Sequence, residues 1–169
     1  MRLIGLDPGL RHTGWGVVEA EGSRLRFLAC GTVSSDGSAD IATRLTQLYA
    51  GLAEILRCWQ PGAAAVERTV VNRNPDSSLK LGHARGVVLL VAAHGGMPVA
   101  EYGSMEVKRA VTGTGHAAKE QVAMMVRVQL GPDVEAKADA ADALAVAICH
   151  AHHLGTQRTL GRYLAEQRA

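Results

Sequence analysis

The spacing of apolar and polar residues divides the chain into strands early and helices later. Arg2 to Leu6 reads as a short buried strand that ends at the turn Asp7-Pro8-Gly9. Trp15 to Ala20 and Leu25 to Val33 read as two more strands, and the turn Glu21-Gly22-Ser23 predicts that they form a hairpin. Apolar residues then recur every three or four positions at Ile41, Leu45, Leu48, Leu52, Ile55, Leu56 and Trp59. That spacing predicts a helix with one apolar face, capped by Asp40 and stopped by Pro61-Gly62. Ala63 to Val66 is a short strand that delivers Glu67 at its end, and Ser77 to Ala93 is a second helix stopped at Gly95-Gly96. A strand at Val99 to Tyr102 follows, then helices over Met105–Val111, Ala118–Leu130 and Ala138–His153.

Strands first, then strands and helices in turn, predict an α/β domain with a mixed sheet over residues 1–153. Residues 154–169 hold Arg158, Arg162 and Arg168 with little apolar periodicity, and are expected to form a flexible basic tail. The chain has 169 residues, enough for one domain with its own core. Aromatics make up only 4% of it, so Ala, Val and Leu must fill that core. A net charge of +2 carries no message about nucleic acid; only the placement of charge can. Cys30, Cys58 and Cys149 are scattered and odd in number, which argues for reduced thiols over a disulfide framework or zinc site. The run Val87 to Ala93 is too short to span a bilayer and no leader pattern opens the chain, so a cytoplasmic location is expected.

The chemistry lies in four carboxylates chosen by position. Asp7 ends the first strand and Glu67 ends the strand after the long helix. Asp139 and Asp142 stand three apart on the otherwise apolar last helix, so both project from one face near its start. Taken singly, Asp7 is as readily a turn former, Glu67 a solvated strand end and Asp139 a helix N-terminal charge. Asp142, inside an apolar helix, is harder to place that way. Gathering carboxylates away from water costs several kcal/mol per ion without a positive partner. A hard divalent cation such as Mg2+ answers that need with oxygen ligands.

With those residues in view, the chain resembles the RuvC family of Holliday junction resolvases. Ile4-Gly5-Leu6-Asp7-Pro8-Gly9 and Thr13-Gly14-Trp15-Gly16 are similar to the family's opening. So are Val66-Glu67, the segment Ser77 to Gly86, Glu101-Tyr102, Val107-Lys108, and the segment Ala138 to Ala145, in the family's order. The resemblance covers residues 1 to about 153. It implies an RNase H-like fold, a five-stranded mixed sheet flanked by helices. It implies a catalytic, metal-binding tetrad of Asp7, Glu67, Asp139 and Asp142, holding Mg2+ or Mn2+, two ions per site. It also implies a homodimer that nicks four-way junction DNA symmetrically and works with a RuvA–RuvB branch-migration complex. The second helix would then lie near the two-fold axis.

Residues 68–85 carry Arg68, Arg73, Lys80 and Arg85 against the single acid Asp76, a basic patch suited to phosphate contacts. The resemblance adds Lys108 and Lys119 beside the scissile phosphate, where point charges would offset developing negative charge. Val70 stands where better-known family members carry an aromatic residue that stacks on bases; it can wedge into a base step but not stack. His12, His83 and His116 receive no role, and His150, His152 and His153 are expected at a solvent-facing helix end. The Asp-Pro-Gly turn also suits an actin-like phosphotransferase, but the chain is too short for two such domains and has no second glycine-rich phosphate turn. A junction-binding scaffold without catalysis and a nuclease for another branched substrate remain as alternatives.

Overall fold

The structure, a computed structural model, describes residues 1–68, 74–132 and 134–166, with Arg162 and Glu166 described for backbone alone. Its elements in chain order are β1 (Arg2–Asp7), β2 (His12–Glu21), β3 (Arg24–Ser34), α1 (Ile41–Trp59), β4 (Ala63–Arg68), α2 (Pro75–His94), β5 (Val99–Gly103), α3 (Ser104–Thr112), α4 (Lys119–Leu130) and α5 (Ala138–Glu166). The five strands form one sheet in the order β3-β2-β1-β4-β5. The pairs β1–β2 and β2–β3 are antiparallel, while β1–β4 and β4–β5 are parallel. This is the mixed, helix-flanked sheet of the RNase H-like fold expected from the sequence.

Local chemistry sets the boundaries. Asp40 caps α1 by accepting a 3.0 Å hydrogen bond from the Thr43 amide. Gln60 ends it in the left-handed region at φ 45°, one residue before Pro61 bars any further turn. The second helix begins at Pro75, ahead of the expected Ser77, because the Asn74 side chain accepts from the Asp76 and Ser77 amides and proline suits a first helical position. No described helix is long and apolar enough to cross a membrane.

The larger difference is at the C-terminus. Helix α5 continues to Glu166 rather than ending at His153, so residues 154–166 are helical instead of a loose tail. Gly155 and Gly161 weaken that stretch without breaking it, since no proline intervenes and Leu154 packs against the core. His150 corrects the solvent-facing reading as well: it is buried, and its Nδ1 lies 2.8 Å from the Tyr102 hydroxyl.

The sheet has two apolar faces, and strand alternation assigns residues to them. Ile4, Leu6, Val17, Ala64 and Val66 face α1 and α2, packing with Leu52, Leu56, Val88 and Val91. Leu3, Val18, Ala63, Ala65 and Tyr102 face α5, packing with Leu144, Val146 and Ile148. The same alternation turns Asp7 and Glu67 towards α5, because each follows a residue buried on the opposite face.

Candidate active site

The site begins with how close α5 lies to the sheet. A Cβ on Gly5 would overlap the carbonyl oxygen of Ala143, and one on Gly14 would overlap that of Asp139. At Gly16 it would stand 2.6 Å from a Leu144 methyl. Only glycine at these positions lets the helix backbone rest on the strands. The alanines of α5, Ala140, Ala143 and Ala147, complete the close approach by being small and buried. As a result the first turn of α5 sits over the end of β1, where Asp7 pairs with Gly14 across the sheet.

The carboxylates meet there. Leu6 and Val66 are register partners, so Asp7 and Glu67 leave neighbouring parallel strands side by side. Together with Asp142 they line a cavity of about 310 Å³, closed by Ser104, Val107, Lys108, Lys119, Val122 and Ala145. Asp139, one turn before Asp142, does not line the cavity but acts electrostatically on Asp7. Burial first, then the charges of Glu67, Asp142 and Asp139, push the Asp7 carboxyl up to about 7. Burial also raises Glu67, with Asp142 adding to it, while Lys119, a hydrogen bond from Asp7 and Lys108 pull the other way. The Lys119 ammonium donates to Asp142 Oδ2 at 2.9 Å.

Two carboxyls pushed up by burial and by their acidic neighbours signal a site short of positive charge. The cavity offers carboxylate oxygens and no imidazole or thiolate among its described lining, which is the donor set of a hard cation such as Mg2+ or Mn2+. Among the described residues no three such groups already stand at ligating distance from one point, so the acids would draw together on binding. The donors fit the ion in kind, and Asp142 is at present held by Lys119.

The basic residues divide into those at the cavity and those away from it. Lys108 and Lys119 line it. Arg68 follows Glu67 but is held at 3.4 Å by Glu106. Arg85 is paired with Glu101 beside β5, and Lys80 is exposed near the start of α2. Neither of these two reaches the cavity. Val70 and Arg73 lie outside the described residues. Ser104 was not singled out from sequence; its place directly after the edge strand that neighbours β4 was the available signal. A larger groove, about 1190 Å³, runs between the C-terminal half of α5 and the far ends of β1 to β3. No carboxylate lines it among the described residues.

The model of the family described as crossover junction endodeoxyribonuclease RuvC matches residues 3–150. A crossover junction endodeoxyribonuclease RuvC of Paramagnetospirillum magneticum is 58% identical over 165 residues, covering 98% of this chain and 99% of the relative. Thermus thermophilus RuvC in complex with its Holliday junction substrate superposes with a TM-score of 0.86 at 38% identity, covering 93% of this chain and 96% of that one. The yeast mitochondrial Holliday junction resolvase, at 12% identity with a TM-score of 0.69 over 99% of this chain and 86% of that one, shares the fold. The chain belongs to the RuvC family of crossover junction endodeoxyribonucleases.

Proposed function

We propose that this protein resolves Holliday junctions by hydrolysing phosphodiester bonds at the cavity formed by Asp7, Glu67 and Asp142, with Asp139 completing the acidic set. The observation that carries the reading is the meeting of strand-end and helix carboxylates with two lysines in one cavity. Asp7, Glu67, Asp139 and Asp142 would hold Mg2+ or Mn2+, two ions at full occupancy. Bound there, such ions activate water and stabilise the leaving oxygen of a phosphodiester. Lys108 and Lys119 meet negative charge on the phosphate, and cations held by Asp7 and Glu67 would draw the reacting strand to the ends of β1 and β4. Arg68, Val70, Arg73, Lys80 and Arg85 contact the junction arms and its centre; Arg68 first has to leave Glu106 and Arg85 to leave Glu101.

Two symmetric nicks require two sites, and the outer face of α2 supports a homodimer. Leu79 and Leu90 are 61% and 49% exposed there, and Gly82 and Gly86 between them have open space above their backbones. The spacing places all of them on one stripe of the helix, which is small and apolar enough for a second α2 to pack against closely. A RuvA–RuvB branch-migration complex is the partner that membership of the family favours, and the cytoplasm is where these components meet.

The test is incubation with a labelled four-way junction and a matched linear duplex under Mg2+, Mn2+ or EDTA, alongside Asp142→Asn. Paired nicks on the junction alone, abolished by EDTA and by the substitution, are expected. Tight binding with no cutting under either ion would leave a junction-binding scaffold in place of a nuclease.

A further inference from the structure

We infer that Lys119 is a built-in counter-cation of the acidic cavity that competes with the divalent cation for Asp142. The inference rests on the metal-binding reading above and concerns a residue of this chain rather than the ions themselves.

The position of Lys119 is costly to the helix that carries it. It is the first residue of α4, where the exposed amides and the helix dipole favour negative charge and oppose a lysine. The start of that helix is satisfied otherwise, by Gln121 Oε1 accepting from the Ala118 amide at 2.8 Å. A lysine that breaks the local rule without helping its helix is expected to serve the site it faces. Its ammonium donates to Asp142 Oδ2 at 2.9 Å.

The two partners differ in freedom. The Lys119 side chain is 75% exposed, whereas that of Asp142 is 24% exposed. The lysine stem therefore runs through solvent and can leave by rotation about its own bonds, while the carboxylate is fixed by α5. Lys108 lines the same cavity but, among the described residues, makes no hydrogen bond to the acids. Of the two lysines, Lys119 alone is recorded on a carboxylate oxygen, so it alone has a bond to exchange for the cation. Once displaced, it remains over the cavity with its charge free for a phosphate oxygen. The same side chain thus holds the acids together before the ion arrives and faces the substrate afterwards.

The experiment is a titration of the full chain with Mn2+ alone, without DNA, followed by calorimetry or by the spin-resonance signal of free Mn2+. Lys119→Gln is expected to bind Mn2+ about three- to tenfold more tightly than the unsubstituted protein, the range set by one partly exposed ion pair. Lys119→Arg, which keeps the charge, is expected to stay near the unsubstituted affinity. In EDTA the Lys119→Gln protein is expected to melt at a lower temperature, and saturating Mn2+ should close that gap. Equal or weaker Mn2+ binding by Lys119→Gln overturns the inference while leaving the metal site intact. If Asp142→Asn binds Mn2+ as well as the unsubstituted protein, the metal-binding reading fails and takes the inference with it.

Discussion

The two faces of the same sheet differ most where α5 crosses the ends of β1 and β2. Towards α1 and α2 the strands present Ile4, Leu6, Val17 and Val66, large side chains that interlock with Leu52, Leu56 and Val88. Towards α5 they set Gly5, Gly14, Gly16, Ala63 and Ala65 among Leu3 and Val18, and the helix answers with alanines among Leu144, Val146 and Ile148. The first face buries apolar volume and thereby stabilises the domain. The second buries apolar volume too, but at Gly5, Gly14 and Gly16 it gives up side chains for close backbone approach, and that approach is what places Asp139 and Asp142 over the ends of β1 and β4. One face is made to hold and the other to position.

Single substitutions can break this division. Gly14→Ala puts a methyl into the carbonyl of Asp139, so α5 must shift at the point where it carries the acids. A displacement of about 1 Å there is expected to lower junction nicking about 100-fold. Leu52→Ala on the other face removes a side chain that is 1% exposed and should cost about 2–5 kcal/mol of stability. Nicking by its folded fraction should stay unchanged. Urea unfolding beside single-turnover nicking separates the two. If Leu52→Ala lost activity out of proportion to stability, the faces would not be independent.

The acidic site should show its positioning role as a stability penalty that depends on pH. The folded state raises the Asp7 carboxyl from an ordinary 3.8 to about 7, so between those values the folded protein holds a proton that the unfolded chain has released. Stability from this group is therefore greatest below about pH 4, falls as pH rises, and is fully lost above about 7. In EDTA, Asp7→Asn is expected to be more stable than the unsubstituted protein above pH 7, by about 2–4 kcal/mol, with the difference closing towards pH 4. Denaturant melts across pH measure it directly. A pH-independent difference would mean that Asp7 is not crowded by its neighbours.

Much of this was legible in the chain, for physical reasons that differ by element. Apolar runs bounded by turn signals and the spacing of about 3.6 placed the strands and helices, while strand ends and the spacing of Asp139 and Asp142 picked out four acids, of which Asp7, Glu67 and Asp142 line one cavity. What pattern could not show was contact between distant residues. Nothing in the sequence tells that Arg68 is held by Glu106 or Arg85 by Glu101, which removes both from the free charges of a basic patch. The extension of α5 was missed because residues 154–166 lack an apolar stripe, and helix continuation there needs only the absence of a breaker. His150 was missed for the related reason that the helix end expected to expose it lies farther on.

That histidine offers the finest test of where positioning ends on the α5 face. Tyr102 and His150 form a buried hydrogen bond at 2.8 Å, and Tyr102 is the register partner of Glu67. The imidazole Nε2 already lacks a partner among the described residues, so the phenol is the one hydrogen bond recorded for that ring. Tyr102→Phe keeps the ring that stacks on His153, with centroids 4.8 Å apart, and deletes only the hydroxyl. Leaving a second buried imidazole nitrogen unsatisfied should cost about 1–2 kcal/mol, seen as a lower denaturation midpoint. Because β5 itself need not move, Mn2+ affinity and nicking should remain within about twofold. Stability lost alone would put the pair with the scaffold. A fall in nicking beyond the loss of stability would extend the positioning layer across β4 to the sheet edge, with Tyr102 fixing the strand that carries Glu67.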